Sequence, residues 1–191
     1  MGITITRGNI TDSTTDAIVN AANDRLAEGD GVCGAIFGAA RRAGGHAELT
    51  NACRAIGHCP TGDAVITPSF GLGSPWIIHA VGPIWRDKRD EMPKSLSSDN
   101  IIQLHELASA YHAVLRVCRE NSLSSVTIPA ISTGIFGLPK ELGAAIAVSV
   151  CTREADSIDV DLIAYENDSY EVLLAAPSAR AMQMLTDAGV I

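Results

Sequence analysis

Residues 16–43 read DAIVNAANDRLAEGDGVCGAIFGAARRA and carry the signals that decide the fold. The short apolar run over residues 16–20 predicts a β-strand. A loop with two glycines follows at residues 29–31, and from Val32 to Ala43 apolar side chains recur at the three- and four-residue spacing of a helix. A strand, a glycine loop and a helix in this order predict one unit of an α/β fold.

Residues 126–153 repeat this order of elements. A β-branched run over residues 126–131 predicts a strand, STGIFG follows at 132–137, and Pro139 suits the first turn of a helix reaching Arg153. Either loop alone is compatible with an ordinary turn. Together they are expected to direct two sets of backbone N–H groups to the carboxyl ends of adjacent strands, an arrangement suited to a diphosphate.

Neither loop is interpreted as the fingerprint of another nucleotide-binding class. Both lack the Lys and Ser/Thr of the P-loop, and neither is interpreted as matching the G-x-G-x-x-G dinucleotide fingerprint. The sequence therefore does not favour a nucleoside triphosphatase or a nicotinamide oxidoreductase.

The rest of the chain alternates in the same way. We expect a turn-rich link at residues 8–12, an exposed loop without a role at residues 86–100, and an α/β sandwich whose mostly parallel sheet has helices on both faces. Predicted strands lie at residues 3–5, 64–68, 76–81 and 160–165, and predicted helices at 46–56, 101–121 and over the remainder to 191, with a break near Pro177.

Bulk composition favours one globular domain over residues 1–191. The chain is 47% hydrophobic, its mean hydropathy is +0.18, and no apolar run approaches the roughly 18 residues of a membrane span. We see no targeting segment and expect a cytoplasmic protein. A reducing compartment also suits the cysteines, which are odd in number and not closely paired: Cys33, Cys53, Cys59, Cys118 and Cys151.

The formal net charge of −8 argues against binding along a nucleic-acid backbone, which requires a basic face. An anionic ligand must then be held locally. Backbone N–H groups at glycine turns and helix N-termini do this without net positive charge.

Four segments together resemble the macrodomain family: DAIVNAAN at 16–23, GDGVCG at 29–34, HAVGP at 79–83 and PAISTGIFG at 129–137. The resemblance covers about residues 8–174. It implies a three-layer α/β/α sandwich with a mixed, mostly parallel sheet of about six strands. It also implies ADP-ribose, free or attached to a protein, as the ligand lying across the strand ends, with no cofactor and no metal.

By this resemblance, Asn9 and Ile10 meet the adenine. Most relatives carry Asp at the position of Asn9, so we expect a weaker hold on the adenine amino group; alternatively, Asn9 is a plain turn residue. Tyr165 matches a position that often stacks on adenine, but a half-buried core tyrosine is an equal alternative.

The resemblance assigns the diphosphate to the two glycine loops. Asn23 matches the asparagine that binds the distal ribose hydroxyls, its alternative being a side chain that caps its own loop. Phe136 flanks that ribose and is counted with Asn23 and Cys33 as catalytic. The implied ligand contacts are Asn9, Ile10, Ala21, Asn23, Gly31, Val32, Cys33, Ser132, Thr133, Gly134, Ile135, Phe136 and Tyr165.

Cys33 departs from the family's hydrolases, which carry there an Asp proposed to orient or activate water. GDGVC also resembles the loop of alphavirus macrodomains, which remove mono-ADP-ribose from proteins, so a bound phosphate oxygen is a candidate to align the water instead. Cys33 is alternatively a nucleophile, since a helix N-terminus lowers a thiol pKa. We favour a small apolar thiol packed at the helix start.

A zinc site built from Cys33, His46, Cys53, His58 and Cys59 is not expected, because no closely spaced cysteine pair exists. Two functions remain. One is a hydrolase of ester-linked ADP-ribose, acting on modified acidic side chains or on O-acetyl-ADP-ribose. The other is a non-catalytic module that recognises ADP-ribose, which the replacement of Asp by Cys33 keeps open.

Overall fold

A computed structural model describes residues 2–87, 91–175 and 177–191. Its strands are β1 (Ile3–Arg7), β2 (Ala17–Ala22), β3 (Ala64–Pro68), β4 (Trp76–Val81), β5 (Ser125–Pro129) and β6 (Asp159–Ala164). Its α-helices are α1 (Gly31–Ala43), α2 (His46–Ile56), α3 (Ser98–Glu120), α4 (Lys140–Glu154), α5 (Asn167–Leu174) and α6 (Ala179–Asp187). No helix in the described ranges is both long enough and apolar enough to span a bilayer.

The strands form one sheet in the order β1-β6-β5-β2-β4-β3. Five strands run parallel, and β3 pairs antiparallel with β4 at one edge. β2 is central and almost completely buried, as expected for a parallel strand with helices over both faces. The mixed, mostly parallel sheet implied by the resemblance is confirmed.

Two apolar cores lie on opposite faces of the sheet. One core contains buried side chains of α1 and α2, including Ile36, Phe37 and Leu49, with the residues of β2 and β4 that face them. The other contains buried residues of α3, α4 and α6, including Leu107 and Ile146. Helix, sheet and helix therefore form the three-layer α/β/α sandwich that the sequence predicts.

The pairing of β2 with β5 opens a groove in the sheet. Only Ala17 pairs with Val126 and Ile18 with Thr127, although β2 continues to Ala22. Asp16 fixes this short pairing, since its Oδ2 accepts hydrogen bonds from the Ser124 hydroxyl at 2.6 Å and the Ser124 N–H at 2.7 Å. These hydrogen bonds lower the pKa of the Asp16 carboxyl. Beyond Ile18 the two strands are no longer paired, and the segments that carry the two glycine loops follow the ends of these strands.

The largest correction concerns the loop predicted over residues 86–100. α3 begins at Ser98 rather than 101, because Ser97 and Asn100 form a reciprocal capping box. Asn100 is buried, and Leu96 packs against the larger core, so this part is neither loop nor fully exposed. Residues 88–90 of the prediction lie outside the described ranges. The other predicted helices and strands are confirmed to within a few residues, including the break near Pro177 between α5 and α6.

Gly45, between α1 and α2, cannot accept a side chain. A Cβ there would lie 1.9 Å from the Phe70 carbonyl oxygen, which is backbone and cannot rotate away. We expect Gly45→Ala to lower the free energy of unfolding by about 1–3 kcal/mol through overpacking.

Gly38, inside α1, is the matched control. A Cβ there meets only the flexible end of Arg42, at 3.6 Å, so Gly38→Ala should stabilise the protein by about 0.5–1 kcal/mol through helix propensity. Urea unfolding of both variants measures the contrast. Equal effects of the two substitutions would contradict the close approach of Gly45 to Phe70.

Candidate functional site

A cavity of about 840 Å³ lies at the carboxyl ends of β1, β2, β5 and β6. This volume is in the range of small-molecule sites. Gly31 and Gly134 line the same cavity, so the two glycine loops do converge. The structure brings together every residue predicted for the site: Asn9, Ile10, Ala21, Asn23, Gly31, Val32, Cys33, Ser132, Thr133, Gly134, Ile135, Phe136 and Tyr165.

The N-terminus of α1 supplies the first set of backbone donors. Gly31 begins the helix with φ +63°, a conformation that glycine adopts without steric cost. Asp30 occupies the N-cap position but its side chain makes no capping hydrogen bond. The first N–H groups of a helix have no partner within it, so this uncapped end presents donors and the positive end of the helix dipole to the cavity.

The loop after β5 supplies the second set. Two hydrogen bonds close it, from Gly137 N–H to the Gly134 carbonyl at 2.9 Å and from Leu138 N–H to the Ser132 carbonyl at 3.0 Å. Within the described part of the chain, the N–H groups of residues 133–136 donate to no backbone carbonyl. Ser132 has φ +66°, which is unusual for a residue with a side chain and marks local strain at the loop.

Ile135 bridges the two loops. Its Cδ1 lies 3.7 Å from the point where a Cβ on Gly31 would stand, so the apolar side chain reaches across the cavity. It remains 56% exposed. The cavity is therefore a cleft with an apolar bridge between two sets of amide donors.

At the opposite end of the cleft, two predicted alternatives are decided by geometry. Tyr165 is 78% exposed, so the interpretation as a half-buried core tyrosine is wrong. The Asn9 Oδ1 accepts a hydrogen bond from Thr11 N–H at 3.2 Å and caps a short 3₁₀ helix. Asn9 thus has a turn role while also lining the cleft beside the buried Ile10.

Asn23 also supports its own loop. Its Oδ1 accepts from the N–H groups of Arg25 at 3.2 Å and Ala27 at 3.1 Å, and its Nδ2 donates to the Ala27 carbonyl at 2.8 Å. An amide Nδ2 carries two N–H groups. One is used within the loop, which leaves one for a ligand in the cleft.

Cys33 is packed as a small core residue. Its side chain belongs to the core under α1, and burial raises the pKa of the thiol above its ordinary value. The thiol therefore stays protonated at neutral pH, which disfavours the nucleophile interpretation because the thiolate is the reactive form. It is also not a replacement for a general base.

Comparison with known proteins identifies the family of this chain. The Macro domain family model matches residues 19–147. This chain belongs to the macrodomain family. A macro domain-containing protein of Listeria monocytogenes is 40% identical over 160 residues, covering 82% of each chain. A Pantoea vagans protein named O-acetyl-ADP-ribose deacetylase 1 is 37% identical over 180 residues, covering 90% of this chain and 96% of that one.

Solved macrodomain structures superpose on this one. The Oceanobacillus iheyensis macrodomain with ADP has a TM-score of 0.76 and 34% identity, covering 96% of this macrodomain and 90% of that chain. The Trypanosoma brucei macrodomain in complex with ADP-ribose has a TM-score of 0.72 and 28% identity, covering 90% of this chain and 67% of that one.

The sequence-based prediction that neither loop matches the dinucleotide fingerprint is wrong. Residues 29–34, GDGVCG, do have the G-x-G-x-x-G spacing of dinucleotide-binding loops. The structure nevertheless does not support a dinucleotide-binding unit. β2 ends at Ala22, well before Gly29, and α1 is followed by α2 rather than by a parallel strand. The β-α-β unit that gives the spacing its meaning is absent from this macrodomain.

Three charged residues lining the cleft were missed: Asp30, Lys140 and Glu166. The Lys140 ammonium hydrogen-bonds the Asp168 carboxylate and lies 3.7 Å from the Glu166 carboxylate. The position of Lys140 just after the second glycine loop was a usable signal. Nothing local marked Glu166, which reaches the cleft because β6 ends beside β5.

The five residues weighed as zinc ligands are divided between the surface, with His46 and His58, and the core under α1, with Cys33, Cys53 and Cys59. His46 contacts Glu28 and Arg41 at the surface, and His58 lies 3.9 Å from Asp24. Among the described residues, no three His, Cys, Asp or Glu side chains are grouped to hold a metal ion.

His79 is a buried neutral histidine that the sequence did not place. Burial lowers its pKa to about 4. In the unfolded chain the imidazole titrates near 6.5 and binds a proton that the folded chain does not. We therefore expect stability present in full above pH 6.5 to be lost as the pH falls toward 4, by on the order of 3 kcal/mol.

Urea unfolding at pH 7.5 and pH 4.5 measures this loss. His79→Gln should reduce the difference between the two pH values, whatever its effect on stability at pH 7.5. His105→Gln, at an exposed histidine, is the control and should leave the difference as in the wild type. A pH dependence that survives in His79→Gln would assign the effect to other groups.

Proposed function

We propose that this macrodomain binds ADP-ribose in the cleft and hydrolyses ester-linked ADP-ribose, either on acidic protein side chains or as O-acetyl-ADP-ribose. One observation carries the proposal: two sets of backbone N–H donors, from the start of α1 and from residues 133–136, face one cavity. A diphosphate fits such donors because both helix dipole and amides favour negative charge. The solved relatives with ADP and ADP-ribose bound support the same ligand.

The ligand is oriented by what lies at each end of the cleft. Exposed Tyr165 offers a ring face for adenine beside Asn9 and Ile10, and Asn23 and Phe136 lie with the glycine loops where the distal ribose would follow the diphosphate. The Asn9 amide accepts without charge, so the adenine amino group is held less firmly than by a carboxylate.

The proposed reaction adds water across the ester bond, releasing ADP-ribose and the carboxylic acid. Cys33 does not take the proton, because its thiol is buried and protonated. We assign the alignment of the water to a diphosphate oxygen and the orientation of the distal ribose to the free Asn23 N–H. Positioning of this kind is sufficient for a large rate effect without a side-chain base.

The second candidate is a module that recognises ADP-ribose without turnover. The buried, neutral Cys33 favours it, since the position of the family's acidic residue supplies no base. Both candidates use the same cleft and require neither cofactor nor metal. All five cysteines are free thiols, which supports our placement of the protein in the cytoplasm.

Two measurements test the proposal. Calorimetric titration should show tight binding of ADP-ribose and much weaker binding of AMP and of ribose 5-phosphate, each of which reaches only part of the cleft. Incubation with an acceptor modified on glutamate should release free ADP-ribose, and O-acetyl-ADP-ribose should yield acetate. Binding without release from either substrate would support the recognition module, and equal binding of the fragments would contradict the two-loop site.

Asn23→Ala tests the orientation of the ribose. Since a misplaced reacting group acts chiefly in the transition state, we expect kcat to fall by about 100-fold and ADP-ribose affinity by less than about fivefold. Steady-state kinetics and calorimetry measure the two losses. Equal losses would place Asn23 in binding alone.

Cys33→Ala tests the packed-thiol interpretation. We expect kcat to fall by about tenfold or less, whereas loss of a covalent nucleophile costs several orders of magnitude. A variant without measurable turnover that still folds and binds ADP-ribose would restore the nucleophile interpretation.

A further inference from the structure

A chain of polar contacts runs from the partly exposed Asn23 loop to buried side chains of the sheet. The Ala27 carbonyl, which accepts from Asn23 Nδ2, also accepts from the Cys33 thiol at 3.7 Å. The thiol in turn accepts from Asn20 Nδ2 at 3.7 Å, and the same Nδ2 lies 3.1 Å from Nδ1 of His79. We call these contacts the relay.

At its inner end, the relay is held by side chains that contact His79. The Nε2 of His79 lies 2.9 Å from the Thr67 hydroxyl and 3.8 Å from the Cys53 thiol. His79 stays neutral at physiological pH, so Nδ1 accepts from Asn20 while Nε2 donates to Thr67. Strands β2, β3 and β4 therefore fix one end of the relay, and the other end reaches the loop that carries Asn23.

The buried polar part of the relay lowers the stability of the fold. Asn20 is only 1% exposed, beside the buried Cys33 thiol, and among the described residues its Oδ1 has no hydrogen-bond partner. Buried polar groups without a partner destabilise a fold, and an apolar pair of similar volume would pack here without that penalty. The polar pair thus calls for a role beyond stability.

We infer that Asn20 and His79 are positioning residues that hold Asn23 in place through Cys33 and the Ala27 carbonyl. The inference rests on the proposed hydrolysis and gives the Cys33 thiol a role other than that of a base. Its S–H and its sulfur lone pairs serve as a link that both donates and accepts. A carboxylate at this position would accept from Asn20 but could not donate to Ala27.

Asn20→Leu tests the inference in the full-length protein, because leucine has a similar size and no donor. We expect the side-chain NH₂ resonances of Asn23 to shift in ¹H–¹⁵N spectra. We also expect kcat to fall about five- to tenfold with KM within about twofold, as for a group that acts through orientation.

Asn100→Leu is the matched control, since Asn100 is also a buried asparagine but caps α3 outside the cleft. It should lower stability through the lost cap and leave kcat and the Asn23 resonances unchanged. Loss of stability is thereby separated from loss of positioning.

A pair of variants at Cys33 keeps the test independent of how well Asn20→Leu folds. Cys33→Ser retains a donor and an acceptor and should keep kcat closer to the wild type than Cys33→Ala. Asn23 resonances that do not move in Asn20→Leu, or kcat that does not change when they move, would overturn the inference. So would equal rates for the Ser and Ala variants.

Failure of the proposed function gives a different result. A wild-type protein that binds ADP-ribose but releases none from either substrate refutes hydrolysis and leaves the Asn23 resonances to decide the relay. Shifted resonances in Asn20→Leu then support the relay, and unshifted ones refute it.

Discussion

The short parallel pairing of β2 with β5 is the constraint on which the rest of the structure depends. The Asp16 carboxylate holds the starts of these strands together, and their pairing ends after Ile18 and Thr127. Because the strands separate inside a sheet covered by helices on both faces, the gap becomes a cleft rather than a solvent-filled edge. Each of the two strands is followed by a loop that leads into a helix, and these two loops line the same cavity. A sheet with full pairing here would have no room for a ligand between those loops.

This arrangement explains how a protein with a net charge of −8 is suited to an anion. Backbone N–H groups at fixed positions provide attraction at short range, where the overall charge matters little. Asp30 and Glu166 at the cleft add negative charge, and Lys140 is engaged with Asp168 and Glu166. In the proposed function, selectivity comes from amides placed at the separation of a diphosphate, rather than from a general attraction to phosphate-rich polymers.

The buried polar residues behind the cleft give the Asn23 loop a link to the sheet. A loop held only by its own hydrogen bonds would follow local fluctuations, whereas contacts through Cys33 and Asn20 reach three strands. Such rigidity matters most where a reaction depends on orientation rather than on a strong acid or base. In the proposed relay, the Cys33 thiol and the buried Asn20–His79 pair therefore serve the same purpose, which is to fix the position of Asn23.

Residues 16–43 and 126–153 determined by themselves that strands, glycine loops and helices alternate, because hydrophobic periodicity and the backbone preferences of glycine and proline act within a few residues. The two units predicted the convergence of two glycine loops, whereas the individual site residues were implied by the macrodomain resemblance, and all of them line the cleft. Tertiary structure alone decided the exposure of Tyr165, the burial of His79 and Asn20, and the place of Glu166. These outcomes depend on which distant segments pack together, so the sum of long-range burial and hydrogen bonding sets them and no local pattern records them.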